Sequence, residues 1–192
     1  MSPASKRIGS VPYLNSVPLT YGIEEETDFV VPSALAEKIR DGELDAALVS
    51  ITEALFHENY DIPDSVAVAS DGPVKSVFLA HRQRLEEIQT VYCDTASLTS
   101  VNLLRILLAE RGINPFFEPL PDYAQASELE NVLLIGNPGI DFLRTPYEQT
   151  IWDLGAAWKE LTDLPFIYAV WALRRGHHDK ALRKKLLLAK EN

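Results

Sequence analysis

The chain of 192 residues is 46% hydrophobic and 24% charged, which is typical of a globular protein and excludes disorder and fibrous repeats. Its net charge of −10 argues against nucleic acid as a partner, because such a surface would repel a polyanion. Cys93 is the single cysteine, which excludes internal disulfides and multi-cysteine metal sites.

The N-terminal segment does not have the composition of a signal peptide. The first apolar run, at residues 8–11, is interrupted by Pro12, whereas a signal peptide has about 7–15 apolar residues at this point. No window of the sequence approaches the roughly 18 apolar residues of a membrane span. We therefore expect a cytoplasmic protein without a membrane partner, and the sequence leaves the oligomeric state open.

The first half of the chain predicts strands that alternate with short helices. Ser33 and Ser50 are expected to be N-caps, and Gly42 is expected to follow the end of a helix. The predicted elements are a strand at 6–11, a loop at 12–18 feeding a short helix that ends near Gly22, a helix at 34–40, a strand at 44–49 and a helix at 52–58.

The second half continues the alternation. A long helix is predicted to begin after Ser97 and to stop at Gly112, because apolar residues recur between them at helical spacing. The sequence Asp71-Gly72-Pro73 predicts a turn. Strands are predicted at 66–70, 77–81, 90–93, 116–120, 131–135 and 165–173, and further helices at 151–161 and 180–189.

This alternation predicts an α/β fold with a mainly parallel sheet, in which ligands collect at the carboxyl ends of the strands. We expect two lobes with a ligand cleft between them, one lobe formed by residues 1–85 plus 173–192 and the other by residues 86–172. Leu182, Leu186 and Ala189 form an apolar stripe that needs a partner, so the first lobe is expected to be incomplete at its C-terminal end.

Small polar residues follow four of the predicted strands. Hydroxyls and unpaired N–H groups at a helix N-terminus can bind an anion, although any one serine is more simply explained as a cap. Four such junctions favour a shared polar cleft for a small anion, and the hydroxyl-rich start of the long helix is the most pronounced of them. The candidate residues are Ser10, Asn15, Ser16, Ser50, Thr52, Ser70, Gly72, Ser76, Ser97, Thr99 and Ser100.

Other candidates are weaker. His177 and His178 are adjacent and would point apart on a helix, and the remaining histidines are isolated, so no metal site is expected. Lys75 next to the Gly-Pro turn either steers an acid towards the cleft or is an ordinary surface lysine.

Several of these loops, and two segments near the C-terminus, carry recognisable sequence motifs. They are Ile-Gly-Ser-Val-Pro-Tyr-Leu-Asn-Ser-Val-Pro-Leu at residues 8–19, Gly-x-Leu-Asp-Ala-Ala-Leu-Val-Ser at 42–50, Ser-x-Gly-Pro-Val-x-Ser-Val at 70–77, Asp-x-x-Ser-x-Thr-Ser at 94–100, Trp-x-Leu-Gly-x-x-Trp at 152–158 and Leu-Pro-Phe-x-x-Ala-Val-Trp-Ala at 164–172. In this order the motifs closely resemble the chorismate dehydratases, which catalyse the first step of the futalosine route to menaquinone. The resemblance spans nearly the whole chain.

The resemblance implies a fold similar to the type II periplasmic binding proteins. It also implies a lyase that removes water from chorismate, a dicarboxylate, to give 3-[(1-carboxyvinyl)oxy]benzoate without a metal or organic cofactor. Asn15 is expected to hydrogen-bond the departing hydroxyl or the enolpyruvyl group, with Ser76 as the second catalytic residue. The residues expected to bind the substrate are Ser10, Ser50, Ser70, Gly72, Ser97, Thr99 and Ser100.

The chain departs from the family pattern at Asn137, where the family usually has an aspartate. An amide cannot accept a proton as a base does, and no other side-chain base is evident, so a carboxylate of the substrate is a candidate base. Two alternatives stay open: the related 1,4-dihydroxy-6-naphthoate synthase, and a module that binds a carboxylate without converting it. The turn motif at 70–77 fits the dehydratase better than the synthase.

Overall fold

The computed structural model describes residues 7–64, 66–94, 97–176 and 179–191. The strands are β1 (Ile8–Ser10), β2 (Thr27–Phe29), β3 (Ala46–Ser50), β4 (Tyr60–Asp61), β5 (Ala67–Ser70), β6 (Val77–His81), β7 (Thr90–Cys93), β8 (Phe116–Pro119), β9 (Asn131–Ile135), β10 (Thr150–Asp153) and β11 (Phe166–Arg174). The α-helices are α1 (Val17–Thr20), α2 (Pro32–Arg40), α3 (Ile51–Phe56), α4 (Leu98–Ala109), α5 (Gly136–Phe142), α6 (Leu154–Thr162) and α7 (Lys180–Glu191). Short 3-10 helices lie at Leu14–Ser16, Glu24–Glu26, Leu85–Glu87 and Tyr123–Gln125.

The three strands β6, β7 and β9 have the predicted bounds, Ser50 is an N-cap as expected, and α4 begins directly after Ser97 as predicted. Ser33 is not a cap, because α2 begins one residue earlier at Pro32. The helix predicted at 151–161 is wrong in its first part, where β10 pairs antiparallel with β6 before α6 begins. The strands β2 and β4 and the helix α5 were not expected from the sequence.

The chain divides into two units. Unit 1 is Met1–Val68 with Ile167–Asn192, and unit 2 is Ala69–Phe166. These bounds differ from the predicted ones, which placed residues 77–81 in the first lobe. The difference arises because β6 pairs with β9 and β10 and so lies inside the second sheet.

Unit 1 is built on a sheet with the strand order β2-β1-β3-β11-β4, in which β5 also pairs with β11. The strands β2, β1 and β3 are parallel, whereas β11 runs antiparallel to β3 and β4. The expectation of one mainly parallel sheet is therefore wrong, because the returning strand β11 reverses direction. Trp171 on β11 is fully buried at the centre of the core of unit 1, together with Ile8 and Leu48.

The apolar stripe of α7 belongs to this core. Leu182, Leu186 and Ala189 are 1%, 0% and 2% exposed and pack in the same cluster as Trp171. The apolar stripe, which was expected to need a partner, thus packs against the core of unit 1. Asp179 caps the helix by accepting hydrogen bonds from the N–H groups of Ala181 and Leu182 at 2.9 and 3.0 Å.

We expect Leu186→Ala to lower the free energy of unfolding by about 2–5 kcal/mol, because it removes a fully buried side chain and leaves a cavity. Urea denaturation followed by circular dichroism measures the change. Leu187→Ala on the same helix is the control, since Leu187 is partly exposed and its loss should cost less than about 1 kcal/mol. Equal losses for the two variants would contradict the docking of α7 on the core.

Unit 2 contains the second sheet, with the strand order β10-β6-β9-β7-β8. Side chains on both faces of its central strands are buried: Phe78 and Leu134 on one face, and Leu79 and Leu133 on the other. This burial requires cover on both sides, as in other α/β proteins. None of the helices among the described residues is long and apolar enough to cross a membrane.

Candidate functional site

The strand directions in unit 2 bring several predicted polar loops to one edge of its sheet. Because β7 and β9 are parallel and β6 is antiparallel to β9 and β10, the carboxyl ends of β7, β9 and β10 meet the beginning of β6. We call this the polar edge of unit 2; it carries the turn at residues 72–76, the start of α4 at Ser97, the start of α5 at Gly136, and Asp153. These are the positions where ligands collect in sheets of this kind.

The turn at residues 72–76 is held by a carboxylate that the sequence did not reveal. Asp153 accepts hydrogen bonds from the N–H group of Val74 at 3.1 Å and from that of Lys75 at 2.7 Å. The same carboxylate caps α6 by accepting from the N–H group of Ala156 at 2.9 Å. Three backbone donors therefore compensate the charge of one half-buried carboxylate.

The backbone of this turn is unusual for its sequence. Gly72 has φ +99°. Lys75 has φ +63°, a left-handed backbone conformation that residues other than glycine and asparagine rarely adopt. Gly155 in α6 lies against the turn: a methyl group there would overlap the carbonyl oxygen of Gly72 and lie 2.7 Å from Ser70 Oγ. The turn and the start of α6 are thus fitted to each other.

Ser76 lies at the end of the turn, half-buried, where β6 begins. Its carbonyl oxygen accepts a hydrogen bond of 2.7 Å from the N–H group of Gly136, which ties it to the end of β9. Among the described residues, its hydroxyl makes only a long contact of 3.5 Å, to the carbonyl oxygen of Val74. The backbone of Ser76 is therefore fixed while its hydroxyl is weakly engaged.

The start of α4 is a partly buried hydroxyl cluster. Ser97 Oγ accepts from the N–H group of Ser100 at 3.3 Å and lies 3.2 Å from Ser100 Oγ. Thr99 and Ser100 are 2% and 1% exposed, so Ser97 alone of the three is partly exposed. Ligand binding by Thr99 and Ser100 stays a prediction.

Unit 1 has a polar edge of its own, at the carboxyl ends of the parallel strands β1, β2 and β3. Ser10 ends β1; its hydroxyl oxygen is buried and has no hydrogen-bond partner among the described residues. Ser50 ends β3 and caps α3 by accepting from the N–H group of Glu53 at 3.1 Å. A buried hydroxyl without a partner is a rare feature that calls for a ligand, a water or a functional reason.

Asn15 lies in the 3-10 helix that follows β1. Its side chain is exposed and makes no hydrogen bond within the part of the chain that the structure describes. The neighbouring Ser16 is buried and donates to the carbonyl oxygens of Val11 and Tyr13, both at 2.7 Å. Ser16 therefore fixes the loop after β1, and the side-chain amide of Asn15 is exposed and available to bind a ligand.

The other residues considered from the sequence are Cys93, Lys75, Thr52, His177 and His178. Burial raises the pKa of the Cys93 thiol from 9.0 to about 12, so the thiol is protonated at neutral pH and unsuited to act as a nucleophile. Lys75 is exposed, and Thr52 lies in the first turn of α3. His177 and His178 lie outside the described residues, among which no group of three or more His, Cys, Asp or Glu side chains is placed to hold a metal.

Sequence reasoning missed Asp153 and Gly155. Both fall in the segment predicted to be one helix, so their place at a strand-to-helix junction was hidden. The signal that could have found Asp153 is its position directly before a run of helix-forming residues, which is typical of an N-cap.

Comparison with known proteins gives the family. Residues 6–192 match the family described as menaquinone biosynthesis. The chain belongs to this family. A relative named chorismate dehydratase, from Thermus thermophilus, is 35% identical over 190 residues, which cover 88% of this chain and 69% of the relative.

Solved structures confirm the fold of this family member. A protein of Archaeoglobus fulgidus matches with a TM-score of 0.68 at 20% identity, over 97% of this chain and 74% of that one. The periplasmic aliphatic sulphonate binding protein of Escherichia coli matches with a TM-score of 0.64 at 16% identity, over 98% and 72%. A putative methionine-binding lipoprotein of Bacillus subtilis matches with a TM-score of 0.56 at 11% identity, over 97% and 90%. The fold is therefore of the periplasmic-binding-protein type, as predicted.

Proposed function

We propose that this protein is a chorismate dehydratase, a cytoplasmic hydro-lyase that converts chorismate to 3-[(1-carboxyvinyl)oxy]benzoate. The observation that carries the proposal is the 35% identity to the Thermus thermophilus relative of that name over 88% of the chain. The polar edge of each unit supports it, because each edge offers hydroxyl donors for a carboxylate.

The donors at these edges suit anions in a protein of net charge −10. A hydroxyl that accepts a helix N–H keeps its own proton, so Ser50 and Ser97 can still donate to a carboxylate while they cap. Ser10 supplies a buried hydroxyl without a partner among the described residues. Such local donors can hold a dianion even though the overall charge opposes it.

The reaction is an elimination. A C–H bond of the ring breaks, its electron pair forms a new ring double bond, and the C–O bond to the hydroxyl breaks. The hydroxyl leaves with a proton as water, and the aromatic ring of the product supplies the driving force. The proposal assigns Asn15 to the hydrogen bond that helps the hydroxyl to leave and Ser76 to a hydrogen bond with the substrate.

The base in this proposal is a carboxylate of the substrate. Asp153 and Asp94 are carboxylates at the polar edge of unit 2; the oxygens of Asp153 already accept from three backbone N–H groups, and Asp94, directly after β7, is buried. Asn137 at the start of α5 is an amide and cannot accept the proton. In this proposal the C–H proton passes to a carboxylate of the substrate itself.

Incubation of the purified protein with chorismate, followed by mass spectrometry, tests the proposal. We expect a product that has lost one water, formed without added metal and in the presence of a chelator. Chorismate that binds but stays unchanged would overturn the proposal in favour of a binding module. If the protein neither binds nor converts chorismate, the proposal is also overturned. Turnover of the substrate of 1,4-dihydroxy-6-naphthoate synthase would then identify that enzyme.

A further inference from the structure

We propose that Asp153 is a positioning residue for the reaction: it holds the turn at residues 72–76 in the conformation that places the Ser76 hydroxyl. The inference rests on the proposed function for its catalytic part. Its structural part stands on contacts within unit 2.

The carboxylate of Asp153 links two segments that are far apart in sequence. Its bonds to Val74 and Lys75 connect residues 79 and 78 positions away, while its bond to Ala156 fixes the first turn of α6. Because β10 pairs with β6 in register, with Asp153 opposite Phe78, the backbone of Asp153 is set by the sheet. The carboxylate therefore fixes the turn at residues 72–76 relative to β10.

The turn needs such a tether. Lys75 adopts φ +63°, a conformation that costs free energy for a residue with a side chain and persists only where its surroundings impose it. The bond from its N–H group to Asp153, at 2.7 Å, is the shortest that the carboxylate makes. Lys75 is directly followed by Ser76, whose carbonyl oxygen is bound by Gly136. Loss of the tether would let the turn relax and displace the hydroxyl.

The side chain of Asp153 acts through this backbone and not on the substrate. With three N–H donors bound, its negative charge is compensated where a free carboxylate would repel a dianion. Asparagine has nearly the same shape, but its amide offers one acceptor oxygen, and its NH2 group would face backbone donors. Asp153→Asn therefore breaks the tether with little change in volume.

The experiment compares the wild type, Asp153→Asn, Ser76→Ala and the double variant. We expect Asp153→Asn to lower kcat by about 10²-fold with KM changed by less than about threefold, as for a displaced catalytic group. The double variant should be no slower than Ser76→Ala alone, because both changes remove the same hydroxyl contact. Multiplied losses in the double variant, or wild-type kcat in Asp153→Asn, would overturn the proposal.

Asp179→Asn is the matched control, since Asp179 also caps a helix with its carboxylate but lies in unit 1 on α7. It should lose a similar amount of thermal stability and keep the wild-type kcat. Amide hydrogen exchange gives a readout that needs no turnover. Asp153→Asn should speed the exchange of the Val74 and Lys75 amides, and unchanged exchange rates would show that Asp153 does not hold the turn. If the wild type does not dehydrate chorismate, the proposed function fails, and exchange still decides whether Asp153 holds the turn.

Discussion

Asn15→Ala is expected to lower kcat for chorismate dehydration by about 10²–10³-fold, the usual effect of removing one donor that stabilises charge in a transition state. KM should change little, because the bond to the departing hydroxyl strengthens as the C–O bond breaks. The protein should stay folded, since the side chain is exposed and has no hydrogen-bond partner among the described residues. Steady-state kinetics and a thermal melt together separate the two effects.

Two further variants define what the Asn15 side chain supplies. Asn15→Asp keeps the shape but loses the donor and adds a charge, so it should lower kcat as strongly and also raise KM for a dianion. Asn59→Ala is the control: Asn59 is an exposed asparagine of unit 1 next to β4, which pairs with the carboxyl-terminal end of β11. Full turnover in Asn15→Ala would remove Asn15 from the mechanism.

The parts of the fold that follow from local pattern could be predicted from the sequence. The strands β6, β7 and β9 are short apolar runs flanked by turn residues, and their bounds agree with the structure. Ser50 and Ser97 precede helices and cap them, which is also a local property. The motifs in the loops were sufficient to predict the family that the comparisons confirm.

The pairing of strands that are far apart in the sequence could not be predicted from the local pattern. The apolar residues Ile151 and Trp152 extend the pattern of α6 backwards, so nothing local shows that they pair with β6. This pairing places Asp153 within reach of a turn 79 residues away, and together with the pairing of β6 and β9 it puts β6 in the second sheet and not in the predicted first lobe. The missed strand, the displaced boundary and the missed carboxylate thus all come from strand pairings that the local pattern does not show.

Gly155→Ala is expected to displace the turn at residues 72–76 and lower kcat by about 10²-fold, because a shift of about 1 Å at a catalytic group has effects of this size. The new methyl group would overlap the Gly72 carbonyl oxygen and lie 2.7 Å from Ser70 Oγ and 3.1 Å from the amide nitrogen of Val74. Two of these neighbours are backbone atoms, so the turn itself must move. The free energy of unfolding should fall by about 1–3 kcal/mol, as in other overpacked sites.

Gly112→Ala separates this displacement from general destabilisation. Gly112 follows α4 with φ +74°, and a methyl group there would meet no atom within 4 Å, so the variant adds backbone strain without a contact. It should lose stability comparably and keep the wild-type kcat, since it lies at the end of α4 remote from Ser97. If Gly155→Ala lost activity only in proportion to its unfolded fraction, the fit between α6 and the turn would have no part in catalysis. A loss of kcat in fully folded Gly155→Ala, together with the intact Gly112→Ala, would show that the position of the turn, and not stability alone, determines turnover.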